Sequence, residues 1–451
     1  MKKQILLNAF NMNSVGHINH GLWAHPRDRS TDYKKISYWT SLAKTLERGL
    51  FDGIFIADII GVYDVYQKSV ELTLKESIQL PVNDPLLLVS AMAAVTENLG
   101  FGITVNANAE PPYTFARRIS TLDQLTDGRI GWNIVTGYLD SAARAVGQGA
   151  LTAHDTRYDR AEDYLEVLYK LWEGSWEDDA VRVDKAARIY ADFAKVRPIH
   201  HQGAFYQVEG YHLSEPSVQR TPVLYQAGTS GRGRRFAARH AECIFITATD
   251  KAAARTTARA LREAVVAEGR KPDDVKIFIG ISIIPGRTEH EAQEKRREYL
   301  SYASPEAGLA HFSASTGIDF SRYDLDDAIE YGTSNAIQSA TELAQTKRWT
   351  KRDLLNELAL GGRYPLIAGT ASVIADELES WIDEGEIDGF NLARTVTPEC
   401  YEDFVDLVVP VLQERGCYKT SYGTTSLRNR LFGAGSRLPD YHPGASFRTL
   451  K

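Results

Sequence analysis

The sequence has only three cysteines, Cys243, Cys400 and Cys417, scattered without the paired spacing of a zinc or iron–sulfur site. That excludes a disulfide scaffold, gives no support to a metal centre, and reads as reduced thiols in a cytoplasmic protein. No apolar run reaches the roughly 18 residues of a membrane-spanning helix, so no membrane partner is expected. The N-terminal MKKQILLNAF has a short apolar part and no small-residue cleavage site, so it is expected to enter a strand rather than serve as a signal peptide. Basic residues are not in excess. The net charge of −7 argues against a nucleic-acid partner, which would demand a basic face. G-x-G-x-x-G is absent, which leaves a Rossmann nicotinamide site without support. Internal repeats and low-complexity linkers are also missing.

What is present is an ordinary globular composition, 43% hydrophobic and 25% charged over 451 residues. Short apolar runs alternate with amphipathic stretches. Strands are expected at 4–10, 53–57, 100–106, 129–135, 222–225, 243–247, 275–284 and 389–393. Helices are expected at 36–48, 85–97, 113–125, 158–172, 252–268, 372–384 and 401–414, with one more opening in QAGTSGRGRRFAARH. Eight such alternations predict an α/β fold, a TIM (β/α)8 barrel, with an open doubly wound sheet as the alternative pattern. One domain, 1–451, is expected, with insertions at about 62–84, 173–219 and 285–370 and a C-terminal extension at 418–451.

A barrel of this kind carries its site at the C-terminal strand ends. Those ends hold polar residues: Asn11 to His17, Asp58, Thr104 and Asn106, Asn133 to Tyr138, and the glycine-rich turn after the fifth strand. In that turn Thr229, Ser230 and Gly231 open a helix, whose free N–H groups make an anion cradle. Arg232, Arg234 and Arg235 are available to add charge. The plain alternative is a capped helix with solvated arginines. His17, His154 and His311 are candidates for acid–base or binding roles, and are as readily structural. Asp58 has no neighbouring carboxylate, and no cluster has metal-ligand spacing.

Several long stretches carry a resemblance: TLERGLFDGIFIAD, SAMAAVTENLGFGITVN, ARRISTLDQLTDGRIGWNIVT, HDTRYDRAEDYLEVLYKLWEGSWEDDAV and YQAGTSGRGRRFAARHAECIF. They resemble the bacterial-luciferase-like flavin monooxygenases, in the subgroup of nitrilotriacetate, dibenzothiophene-sulfone and long-chain alkane monooxygenases. NAFNMNSVGHINHGLWAHP and QLPVNDPLLLVSAMA are especially similar to the alkane enzymes, and the likeness runs into the tail RLFGAGSRLPDYHP.

The resemblance implies a barrel with insertions and FMN as cofactor. The FMN arrives reduced from a separate NAD(P)H-dependent flavin reductase. O2 is then carried as a flavin C4a adduct that oxygenates an organic substrate. Ser230 and the Gly231 amide, with Tyr158 and His154 of the HDTRYD segment, are implied at the phosphate. Asp58, Thr104 and Asn106 are implied at the isoalloxazine or ribityl chain. Gly137 stands where the family usually has serine, so that side-chain contact is missing. His17, Tyr63, Gln79 and His311 match positions lining the substrate pocket.

Other departures alter the mouth. Ser14 replaces a cysteine and Tyr138 a histidine of the alkane enzymes, Ala109 replaces a common tyrosine, and Ala145-Val146-Gly147 replaces a common NFG. A wider, more polar mouth with Tyr138 able to stack points to a polar heteroaromatic such as riboflavin, cleaved at its side chain, or to an aromatic sulfone. Long-chain alkane hydroxylation, hydride transfer from a deazaflavin, and a non-catalytic flavin-binding barrel are the alternatives. A homodimer or homotetramer is expected, with the tail packed on a neighbouring subunit.

Overall fold

The computed structural model describes residues 2–228, 230–329, 349–423 and 426–449. Eight parallel strands close on themselves: β1 (Leu6–Met12), β2 (Gly53–Ala57), β3 (Gly100–Asn106), β4 (Ile130–Val135), β5 (Val223–Gln226), β6 (Cys243–Ile246), β7 (Lys276–Gly286) and β8 (Gly389–Ala393). Each pairs with the next, and β8 returns to β1 with Leu6 opposite Gly389. The expected barrel is therefore formed, and the open sheet is excluded by that last pairing.

Helices cover the outside: α1 (Ile36–Arg48), α2 (Leu86–Ala93), α3 (Pro112–Leu125), α4 (His154–Tyr169), α5 (Gly231–His240), α6 (Lys251–Ala267) and α7 (Ala371–Gly385). The last, α8, runs Glu399–Asp403, passes through a π turn at Phe404–Val408 and ends as Val409–Glu414. In α1 the buried Trp39, Leu42, Ala43 and Leu46 recur at helical spacing, which is why this stretch lies flat on the barrel.

Three departures from the expected elements bear on the barrel and its edge. β1 starts and ends two residues later than expected, because Asn11 and Met12 still pair with Ile56 and Ala57. α4 starts at His154 rather than at 158, which brings His154 into the first helical turn. A ninth strand, Leu366–Thr370, pairs in parallel with the second half of β7 inside what was expected to be an irregular insertion. The tail packs on its own chain at residues 427–431. Leu427 and Leu431 are buried in a cluster with Phe55, Tyr225, Cys243 and Phe278 of the same chain. Arg428 donates to the carbonyls of Thr221 and Pro222 and to the Glu242 carboxylate. These groups precede β5 and β6, so this part of the tail closes the N-terminal end of its own barrel.

The opposite end is covered by two insertions working together. Tyr63, Tyr66 and Ile78 from the first pack against Leu309, Phe312, Phe320 and Leu354 from the third, with Leu139 and Ala142 between them. The second insertion forms two antiparallel hairpins, Val181–Asp184 with Ile189–Ala191 and Ile199–Gln202 with Gln207–Gly210. No helix among the described residues is long and apolar enough to cross a membrane.

Candidate active site

The turn after β5 becomes the N-terminus of α5, with Ser230 as its cap; the Ser230 Oγ accepts from the Gly233 N–H at 3.3 Å. The same oxygen lies 3.3 Å from His154 Nε2. Tyr158, one turn further along α4, stacks obliquely on His154 at 5.2 Å and accepts from Gln226 Nε2 at 3.4 Å. A Cβ on Gly228 would lie 2.6 Å from the Tyr158 hydroxyl, so a bare backbone is required there. Gly231 faces open space. Ser230, Gly231, His154 and Tyr158 thus converge on one helix N-terminus, where free N–H groups and the helix dipole favour an anion. Thr229 lies outside the described residues. Arg232 pairs with Asp159 and Glu162, and Arg235 with Glu268; the Arg232 charge also acts on the Tyr158 hydroxyl.

Next to this cradle is a cavity of about 190 Å³ whose lining includes Asn106, Asn108, Ala109, Thr136, Gly137 and Arg157. Thr104 Oγ1 accepts from Asn133 Nδ2 at 2.9 Å, Asn106 Oδ1 accepts from the Asn108 N–H at 2.9 Å, and Asn108 Nδ2 donates to the Thr136 carbonyl at 3.0 Å. The buried Oδ1 atoms of Asn108 and Asn133 have no partner among the described residues. Two orphan acceptors, beside a cradle open to an anion, fit a polar cofactor with a phosphate tail such as FMN. Gly137 has φ +78°, and a Cβ there would meet Asn106 Nδ2 at 2.9 Å. At this left-handed backbone a side chain would be strained, which favours glycine. Burial pushes the Asp58 carboxyl up to about 6, with Asp84 adding to the effect and the Ile59 N–H opposing it.

A second polar group lies under the two-insertion cover. Tyr63 donates to Gln79 Oε1 at 2.6 Å, and the Tyr138 hydroxyl is 3.2 Å from that of Tyr63. Since Tyr63 has one proton and gives it to Gln79, Tyr138 is the donor to Tyr63. The Tyr63 ring stacks on His311 at 5.0 Å, and His311 Nδ1 is 3.1 Å from His20 Nε2. Gln79 adopts φ 54°, uncommon for a residue with a side chain. His17 packs edge-on against Phe10 at 4.5 Å.

Burial, Arg394 and the other two histidines hold His17 well below the ordinary imidazole range. Burial and Arg394 lower His20 to about 4, and burial, His20 and Arg363 depress His311. These rings are neutral, and burial raises the phenols of Tyr63 and Tyr138. Ser14 does not contribute the polarity expected at the mouth: its hydroxyl is fully buried and donates to the Gly16 carbonyl at 2.9 Å.

Sequence reasoning missed His20, Arg157, Arg363 and Arg394. His20 lies three residues after His17 in HINH, and Arg394 directly follows β8, so the strand-end rule reaches it. Arg157 sits on α4 between His154 and Tyr158. Arg363 has no local signal, because the insertion fold brings it in.

The sequence profile described as luciferase-like monooxygenase matches residues 19–385. The dimethyl-sulfide monooxygenase of Hyphomicrobium sulfonivorans is 49% identical over 453 residues, covering 99% of this chain and 94% of that protein. The long-chain alkane monooxygenase of Geobacillus thermodenitrificans is 47% identical over 452 residues, covering 100% and 99%. The crystal structure of a riboflavin lyase with modified FMN and riboflavin matches with a TM-score of 0.93 at 36% identity, covering 99% of this chain and 100% of that one. A closed barrel with an anion cradle at its C-terminal edge and a profile match over most of its length place this chain in the luciferase-like monooxygenase family, as a flavin-dependent monooxygenase.

Proposed function

We propose that the chain is the oxygenase of a two-component system, taking FMN already reduced by a separate NAD(P)H-dependent reductase. Ser230, the Gly231 amide, His154 and Tyr158 hold the phosphate. Asp58, Thr104 and Asn106 border the ring system and ribityl chain, and Gly137 leaves room for Asn106. Reduced FMN, when bound, supplies the oxygen-activating chemistry. The chain binds and orients the substrate and excludes water. His17, Tyr63, Gln79, Tyr138 and His311 form the substrate end.

The substrate is a polar heteroaromatic, such as riboflavin cleaved at its side chain, or an aromatic sulfone. The observation that supports this reading is the Gln79–Tyr63–Tyr138 chain beside the neutral His311. The phenol protons of this group are spent within the chain, but its spare oxygen lone pairs carry no net charge and have no use for an apolar chain. The second reading, an alkane or a small thioether, draws on the 47% and 49% identities to enzymes named for those substrates. The test is a product assay with reduced FMN, a flavin reductase and O2, offering riboflavin, dibenzothiophene sulfone, dimethyl sulfide and hexadecane separately. Lumichrome from riboflavin, or the ring-opened hydroxybiphenyl sulfinate from the sulfone, supports the proposal. Turnover confined to hexadecane or dimethyl sulfide overturns the heteroaromatic reading.

A further inference from the structure

We propose that His20 is a positioning residue that sets the tautomer of His311, so that His311 presents its Nε2–H to the substrate chamber. The functional half of this inference rests on the placement of His311 at the substrate end; the tautomer half does not.

His20 Nε2 and His311 Nδ1 are 3.1 Å apart, with the rings edge-to-face at 5.2 Å between centroids. Both rings are neutral, for burial disfavours their cations and the guanidinium of Arg394 or Arg363 adds repulsion. Arg394 is itself buried, donating to the carbonyls of Ser14 at 2.9 Å and Val15 at 2.7 Å. A neutral imidazole has one N–H and one lone pair. One proton therefore lies between the two rings, in one of two arrangements.

If His311 Nδ1 donates, His20 must carry its own proton on Nδ1. That nitrogen is buried and has no partner among the described residues. If His20 Nε2 donates, the orphan at His20 Nδ1 is a lone pair. Unpaired buried N–H groups are rarer in proteins than under-used acceptors. The second arrangement is therefore the favoured one. It makes His311 Nδ1 an acceptor, so its proton sits on Nε2. His311 also lines a small cavity of about 20 Å³ with His20, Arg363 and Tyr364 and stacks on Tyr63. A ring fixed in this way is a hydrogen-bond donor of defined direction, beside a phenol pair that already spends its protons on Gln79 and Tyr63.

The test uses the full-length protein with 15N-labelled histidine. His311 signals are assigned by comparison with His311→Gln, and the tautomer is read from the nitrogen shifts without any substrate. The expected wild-type result is a protonated Nε2 and an unprotonated Nδ1 at His311. His20→Gln puts an amide N–H where His20 Nε2 stood, so it preserves that tautomer and keeps kcat within about threefold. His20→Leu removes the donor, and the tautomer becomes mixed. Losing one directed donor lowers kcat by about tenfold or more, with a smaller change in KM. A wild-type His311 protonated on Nδ1, or an unchanged tautomer in His20→Leu, overturns the proposal. An altered tautomer with unchanged kcat on every turned-over substrate refutes instead the placement of His311 at the substrate.

Discussion

The hydroxyl of Tyr138 lies 3.2 Å from that of Tyr63, which in turn gives its proton to Gln79 at 2.6 Å. The three side chains form a directional chain with Tyr63 in the middle. Tyr63→Phe breaks both links and leaves two buried polar groups unpaired, whereas Tyr138→Phe removes only the outer donor. The expected order is a loss of about 1.4 kcal/mol or more, about tenfold in kcat/KM, for Tyr63→Phe, and a smaller loss for Tyr138→Phe. Steady-state kinetics on both variants and the double variant check this. Equal and additive losses would show that the residues act independently.

Gly137→Ser restores the residue the family usually carries, yet it is expected to harm this chain. At φ +78° the new Cβ meets Asn106 Nδ2 at 2.9 Å. A strained side-chain residue of this sort costs about 1–3 kcal/mol. Urea unfolding should show that loss, and a flavin titration should show weaker binding as Asn106 is displaced. Tighter binding at undiminished stability would mean that the loop relaxes around the serine.

Ser230→Ala should weaken FMN binding by about 1.5–3 kcal/mol, the range for a hydrogen bond to a charged group. It also removes the α5 cap, a further cost of about 1 kcal/mol in folding. Fluorescence titration of FMN separates the first effect from the second, which thermal melting of the flavin-free protein reports. Unchanged affinity would place the phosphate elsewhere.

Asp58 gives a pH dependence with a defined sign. Its carboxyl is pushed from 3.8 up to about 6 by burial, so between these values the folded protein holds a proton that the unfolded chain lacks. Its contribution to stability is therefore favourable at low pH and is lost as pH rises from about 4 to about 6. Asp58→Asn removes the ionisation. The urea midpoint of Asp58→Asn should exceed that of wild type by more at pH 8 than at pH 4. The reverse order would assign the carboxylate a stabilising partner.

At the closed end of the barrel, Arg428 and Glu242 are both buried and joined at 2.6 and 2.9 Å. Arg428→Met should cost about 3–5 kcal/mol, because the Glu242 charge is left buried and unpaired. Replacing both by apolar residues should recover much of that loss. Chemical denaturation of the single and double variants measures the difference, and a double variant no more stable than the single one contradicts the argument.

The amino-acid sequence by itself determined the strand–helix alternation and the candidate anion cradle, because both depend on local order; closure of the barrel was decided by the pairing of β8 with β1. Apolar strands alternate with amphipathic helices at short range. The His154 and Tyr158 pair recurs at i,i+4, and the glycine-rich turn at Ser230 runs straight into a helix. The tertiary structure decided the polar cluster under the insertions and where the tail packs. Tyr63 and Tyr138 are 75 residues apart, and His20 and His311 are 291 apart. Their meeting depends on two insertions burying a shared apolar face, and no local spacing encodes that face. Likewise Leu427 and Arg428 show no periodicity, since they fill the open end of a barrel whose shape exists only once β8 has paired with β1.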